Sequence, residues 1–302
     1  KPKTSKGKRF LEKREPKLVE DCKATIFIRG KNANNVVLQI LKDFSLLKKP
    51  RSVFFNKKND LRPFEDSSSL EFFSQKNDAS LFMFGSNNKK RPNNIVLGRL
   101  FDYHVMDMFE FGVENFKTMN DFKIPKIPVG TKPMLLFAGE MFDKDAEYQR
   151  LKNLLIDFFR GPVIEHIRLQ GLEHIVVFHS MDNGKIQFRS YKVAFKKSGT
   201  RVPHVVLEEM GPHMDLVLRR RKLASDDLFK QATKKPDQLK PKVKKNIKRN
   251  PLGTTHGRVH MQRQDYSKLK TRRVKGLKEK KNPKGSVKRK SESVVSSPKK
   301  MK

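Results

Sequence analysis

Three observations predict a mixed α/β fold of the α+β kind. A β-type run, a capped amphipathic helix and a Pro-closed exit occur at residues 24–50 and again at 134–162. Hairpin signals follow each copy, with polar turns between β-forming flanks. Apolar periodicity then stops after Lys235, leaving mostly Lys, Arg, Asn, Pro and Gly. The repeated order reads as an internal duplication, two similar α/β halves followed by a disordered basic tail. A chain of 302 residues is long enough for one large domain or two modest ones.

Residues 1–23 form a basic, Pro-containing arm that is expected to be flexible. The first half, 24–119, opens with a strand over 24–29, ended by Gly30. Val37, Ile40, Leu41, Phe44 and Leu47 recur at spacings of three and four and predict a helix over 32–49. Asn34 or Asn35 suits its N-cap, and Lys48, Lys49 and Pro50 supply the closing cations and the breaker. Residues 52–55 predict another strand, and 66–69 offer caps for a short helix carrying Leu70, Phe72 and Phe73. In the stretch 80–102, apolar runs at 81–84 and 95–97 flank a polar turn bearing Lys89, Lys90 and Arg91, a strand–basic loop–strand pattern. Gly85 and the Asn pairs are expected to supply loop freedom, and Pro92 to fix φ on the way out. Residues 103–119 are ambiguous. Val105, Phe109, Val113 and Phe116 suit a helix, whereas Phe109 to Phe111 allow a strand.

Pro125, Pro128, Gly130 and Pro133 mark a linker at 120–132. The second half, 133–235, restarts with a strand over 134–138. A helix capped by Asp143 or Asp145 then runs through Phe159, with Tyr148, Leu151, Leu155, Phe158 and Phe159 on one side. Gly161 and Pro162 end it. Residues 174–179, the turn Asp182-Asn183-Gly184 and residues 185–195 read as a hairpin. Strands over 204–209 and 214–219 follow, joined through Gly211-Pro212, and the last runs straight into Arg220, Arg221 and Lys222. Ser225, with Asp226 and Asp227 in the first turn, caps a helix through Ala232. Residues 236–302 are the tail, expected to be disordered alone and to order on RNA.

The charge narrows the function classes. Lys and Arg number 68 against 32 Asp and Glu, a net +36, of which residues 219–302 hold +24. Self-repulsion of that size predicts a polyanionic partner. No run approaches the ~18 apolar residues that span a bilayer. The basic start is followed by no apolar segment and so reads as no secretory signal. The end is not a prenylation box, and the tail lacks the interleaved aromatic and Leu residues of an interfacial helix. The partner is therefore expected to be nucleic acid rather than membrane. One cysteine, Cys22, excludes an internal disulfide or a Cys-based zinc site and fits a reducing compartment.

No Gly-rich phosphate fingerprint, zincin motif or nucleophile elbow is present. His256 and His260 stand four apart, a spacing that suits one helical face, but without Cys or acidic co-ligands nearby. His174 and His179 read as ordinary strand residues. Glu208 and Glu209 read as a strand end, or as a balance for Arg219 to Arg221. No enzyme activity, cofactor or metal is expected. The basic features carry more. Lys89, Lys90 and Arg91 at the tip of a rigid hairpin suit phosphate contact, against the blander reading of a solvated turn. Arg219, Arg220, Arg221 and Lys222 continue a strand, so the fold holds their charges together; equally, they would guard a sheet edge. Clusters at 242–249, 268–273, 278–284 and 288–290 suit loose RNA binding. Lys288-Arg-Lys290 with Lys299-Lys300 resembles a nuclear targeting signal. Ser297-Pro298 reads as a phosphosite whose added charge would weaken phosphate contact.

The doubled α/β order, the stretch Phe84-Gly-Ser-Asn-Asn-Lys-Lys-Arg-Pro-Asn-Asn-Ile-Val-Leu-Gly-Arg99 and the segment Glu209-Met-Gly-Pro-His-Met-Asp215 together resemble the Brix domain, and within that family the Asn-Asn-Lys-Lys-Arg-Pro loop and the Arg-Arg-Arg-Lys-Leu-Ala run at 219–224 single out one branch. The likeness covers residues 25–235. It implies two halves similar to anticodon-binding domains, and a nuclear, nucleolar assembly factor of the large (60S) ribosomal subunit. It further implies a heterodimer with the regulator of ribosome synthesis protein, delivery of 5S rRNA with its two ribosomal proteins to the pre-60S particle, and support of pre-rRNA processing. The resemblance carries RNA contact to Lys89, Lys90, Arg91, Arg99, Arg219, Arg220, Arg221 and Lys222, and implies no catalytic residue. The alternative is a general basic RNA-binding protein or chaperone without 5S preference.

Overall fold

The strands of both halves join one sheet. The structure, a computed structural model, describes residues 2–15, 17–164, 166–168, 171–181, 183–240 and 244–264. Asp182, the tail clusters beyond residue 264, Ser297 and the Lys299-Lys300 pair lie outside the described residues. After an exposed helix α1 (Ser5–Arg14), the first half runs β1 (Thr25–Gly30), α2 (Asn35–Lys48), β2 (Ser52–Asn59), α3 (Ser68–Asn77), β3 (Leu81–Asn88), β4 (Arg91–Phe101) and β5 (His104–Lys117). The second runs β6 (Met134–Ala138), α4 (Met141–Lys144), α5 (Ala146–Phe159), β7 (His174–Ser180), β8 (Lys185–Lys196), β9 (His204–Glu209), β10 (His213–Lys222) and α6 (Asp226–Ala232).

The sheet order is β2-β1-β3-β4-β5-β10-β8-β7-β6, with β9 also on β8. That order contains the duplication. The set β1-β3-β4-β5 is mirrored by β6-β7-β8-β10: each begins with a parallel pair spanned by a helix and continues with two antiparallel pairings. β2 and α3 are the insertion that distinguishes the first half. The halves meet through their last strands, β5 and β10, paired antiparallel.

Helices α2, α5 and α6 start where side chains can satisfy free amides. Asn34 accepts from Val37 N (2.9 Å), Asp145 from Glu147 N (2.9 Å) and Ser225 from Leu228 N (3.3 Å). The i, i+3, i+4 stripes of α2 and α5 lie on the same sheet face in one core. Phe44 of α2 meets Phe188 and Phe159 at ring-centroid distances of 5.1 and 5.8 Å. On the other face Leu70 of α3 closes a smaller core with Ile26, Ile28, Phe82, Phe84 and Met108. The ambiguous segment is the strand β5. Its residues from Met106 to Val113 are buried on both sides, so the alternation that marks a half-exposed strand is missing.

Two expectations need correction. The arm is not structureless: Thr4 caps the helix Ser5–Arg14. Gly85 serves packing rather than turning. It sits inside β3, and a Cβ there would overlap Val37 and collide with Leu41 of α2; the reversal falls at Lys89-Lys90, and Asn93 takes the positive φ of 44°. In the tail, the described segments Ile247–Arg249 and Thr255–Gly257 pair as a small, exposed hairpin. Within it His256 faces Asn250 (2.8 Å) and His260 faces Asn246 (3.1 Å), so the two histidines do not share a helical face.

Asp43 of α2 is 2% exposed and accepts from Met119 N (3.1 Å) and Gln39 Nε2 (3.2 Å). Burial outweighs these bonds and raises its pKa from 3.8 to about 6. The folded state therefore resists ionisation more than the unfolded chain does. Stability from this group is lost as pH rises between those two values and stays lost above them. Asp43→Asn removes the charge and keeps one acceptor oxygen for Met119 N, and a reversed Gln39 amide accepts from the new Nδ2. The substitution is expected to raise the free energy of unfolding near neutral pH by up to about 3 kcal/mol, the gain fading by about pH 4. Thermal melts at the two pH values check this, and equal gains at both would refute it.

Candidate nucleic-acid interface

β1 runs parallel to β2 and β3, with Gly30 opposite Asn59 and Arg29 opposite Gly85. All three strands therefore end at one end of the sheet. Lys31 follows β1, Lys57 and Lys58 lie near the end of β2, and Lys89 and Lys90 form the β3–β4 reversal; all five are exposed. Neighbouring strands are only about 4.8 Å apart, so these ammonium groups form one cationic rim. Lys89 and Lys90 make no ion pair with any described residue, while Lys31 stands 3.4 Å from Asp60.

β10 adds guanidinium groups to this rim. A register shift between Leu218 and Arg220 breaks the alternation. Arg219 lies over Gly112, where a Cβ would overlap its guanidinium, and donates to Asn94 Oδ1 (3.0 Å) and the Pro92 carbonyl (2.9 Å). Arg220 donates through Nε and Nη2 to the two oxygens of Glu110 and stacks 4.3 Å from the Phe64 ring centroid. Glu110 is 1% exposed, accepts from Asn94 Nδ2 (2.7 Å) and lies 3.7 Å from Arg91 Nη1. Burial pushes its pKa up, but the bonds from Arg220 and Asn94 and the charges of Arg220 and Arg91 prevail, leaving it below the ordinary value. One buried carboxylate thus fixes the Arg220 guanidinium through two hydrogen bonds and draws that of Arg91 to within 3.7 Å.

Five of the eight proposed contact residues come together here: Lys89, Lys90, Arg91, Arg219 and Arg220. The others are elsewhere. Arg221 turns to the α5 face and pairs with Glu147. Lys222 is exposed at the end of β10. Arg99 requires correction, because it is a core residue. At 5% exposure it donates to Asp107 Oδ2 through Nε (2.8 Å) and Nη2 (2.6 Å), and through Nη1 to Asn153 (2.6 Å) and Asp157 (3.0 Å). With those donors committed, it offers no charge to a polyanion. Nor do Glu208 and Glu209 balance the Arg run. Glu209 lies 4.0 Å from His213, and the counter-charges come from Glu110 and Glu147. Fixed guanidiniums beside hydrated ammonium groups are suited to holding phosphates in set positions.

The Brix domain profile matches residues 30–220, more than half of the chain. This chain belongs to the Brix domain family. Its Brix relatives include the ribosome production factor 2 homolog of Homo sapiens, 62% identical over 257 residues, 85% of this chain and 84% of that one. The ribosome biogenesis protein RPF2 of Saccharomyces cerevisiae is 44% identical over 291 residues, 93% of this chain and 85% of that one. A probable ribosomal biogenesis protein from Aeropyrum pernix K1, known from its crystal structure, aligns with a TM-score of 0.42 at 10% identity over 67% of this chain and 99% of that one. The chain is a ribosome biogenesis factor of the Brix family.

Within this Brix domain the cations missed from sequence are Lys31, Lys57 and Lys58. The signal was the Asn-Lys-Lys-Asn run at 56–59, directly after a strand. Only the parallel register of β1, β2 and β3 shows that it ends beside Lys89 and Lys90.

Proposed function

We propose that this protein is a non-catalytic RNA scaffold in large-subunit assembly. In this reading it pairs with the regulator of ribosome synthesis protein, brings 5S rRNA and its two ribosomal proteins to nucleolar pre-60S particles, and supports pre-rRNA processing. One observation carries it: cations from four chain segments converge on one end of one sheet, with Arg220 held by the buried Glu110 and Arg219 by Asn94 and the Pro92 carbonyl. Helical RNA hides its major-groove edges, so such a surface reads shape and phosphate position. The joint surface with a protein partner would then supply specificity, since charge alone does not discriminate.

Lys89→Glu with Lys90→Glu tests this. Both side chains are exposed, so folding is expected to be unchanged. With the partner protein bound, affinity for 5S rRNA is expected to fall at least about tenfold, and the slope of log affinity against log salt to shrink by about two. Unchanged affinity and slope would overturn the interface. A general RNA chaperone is the competing reading, favoured by the +24 charge of residues 219–302. It predicts that an unrelated RNA of equal length competes with 5S rRNA on equal terms.

A further inference from the structure

A cleft of about 340 Å³ opens between the β2–α3 loop and the start of β4, beside the cationic rim. Its side chains include four cations and three carboxylates, a net of one positive charge. That balance does not suit a stretch of backbone, which carries one negative charge per nucleotide; it suits a single phosphate. Arg91 and Arg220 share the wall, on either side of Glu110. Arg220 uses Nε and Nη2 on that carboxylate, while its Nη1 has no hydrogen-bond partner among the described residues. Arg91 stands off at 3.7 Å with its donors similarly open.

The remaining lining is neither charged nor simply apolar. Asn32 and Asn88 face each other with a long contact of 3.4 Å between Nδ2 and Oδ1. Phe64 forms an aromatic wall, one part of it under Arg220. Amides carry both a donor and an acceptor, the complement of a base edge. A phosphate alone would leave most of the volume empty, whereas pockets of about 300 Å³ upward accommodate small organic ligands.

We propose that this cleft receives one unstacked ribonucleotide of the bound RNA, its phosphate between Arg91 and Arg220 and its base edge against Asn32 and Asn88. The inference rests on the RNA interface proposed above and adds that the protein selects RNA with an extrahelical nucleotide. RNA loops and bulges present such bases, which regular helices do not.

The test uses the full-length protein and two RNA hairpins with the same stem, one carrying a single extrahelical nucleotide. The bulged hairpin is expected to bind about tenfold more tightly, within the range for one base recognised by stacking and edge contacts. Asn32→Trp plugs the cleft from an exposed position and is expected to abolish that preference while leaving affinity for the plain stem intact. Asn88→Trp does the same from the opposite lip, should the first variant melt early. No preference in the wild type, or a preference that survives both plugs, overturns the proposal. Competition decides the ligand class: if inorganic phosphate erases the preference as well as nucleoside 5′-monophosphates do, the site holds phosphate only and the nucleotide proposal fails. Lys89→Glu with Lys90→Glu separates the two readings. It is expected to weaken both RNAs alike with the preference retained, whereas unchanged affinity for both would count against the rim and not against the cleft.

Discussion

Replacing Arg99 with alanine is expected to destabilise the protein by about 3–5 kcal/mol, the range for removing one partner of a buried ion pair. The loss follows from what remains. Asp107 is fully buried and would keep only the Ala224 amide (2.9 Å) and a distant Arg150 (3.7 Å). Asp157 would retain Lys23 at 2.8 Å. Arg99→Lys is expected to recover little, because one ammonium group cannot reproduce a fork that serves Asp107, Asn153 and Asp157 together. RNA affinity, measured where the variant is still folded, is expected to match the wild type. Urea unfolding and salt-dependent binding distinguish the outcomes. Wild-type stability with weakened RNA binding would return Arg99 to the interface.

Phe158→Ala is expected to cost a similar amount, about 3–5 kcal/mol for a large aromatic lost from a close-packed core. Phe158 lies edge-on to Phe27 of β1 (6.1 Å, 89°) and to Phe44 of α2 (6.4 Å, 71°), while belonging to α5 itself. It also lies under Lys48, whose ammonium nitrogen is 5.5 Å from the ring centroid and donates to the Phe158 carbonyl. Burial lowers the Lys48 pKa from 10.5 to about 8. Deleting the ring therefore opens a cavity between the two halves rather than inside one. Hydrogen exchange is expected to show β1 and β7 amides losing protection by equal free energies. Protection lost only in β6 and β7 would mean that the halves unfold separately.

Much of this arrangement was legible in the chain because it depends on local rules. Caps at Asn34, Asp145 and Ser225, the apolar stripes of α2 and α5, and the Asn183-Gly184 turn follow from spacing and backbone chemistry alone. β5 resisted reading because the middle of a sheet has no wet face. The site was half legible. A count of cations locates Lys89 and Lys90, but whether an Arg is free depends on partners distant in sequence. Asp157 reaches Arg99 across 58 positions and Glu110 reaches Arg220 across 110. The shift after Leu218, which brings Arg219 and Arg220 to the same rim, likewise has no signature among four consecutive cations.

The seam between the halves bears on how the polypeptide is made. Lys117 pairs with His213 and Met108 with Lys222, so closing the seam joins positions about a hundred residues apart, which is slow for entropic reasons. While translation proceeds through the second half, the nascent first half has an open, apolar margin whose amides and carbonyls invite any passing strand. A product truncated before β10 would keep that margin permanently, and such fragments are expected to aggregate or to occupy holdase chaperones unless another chain covers them.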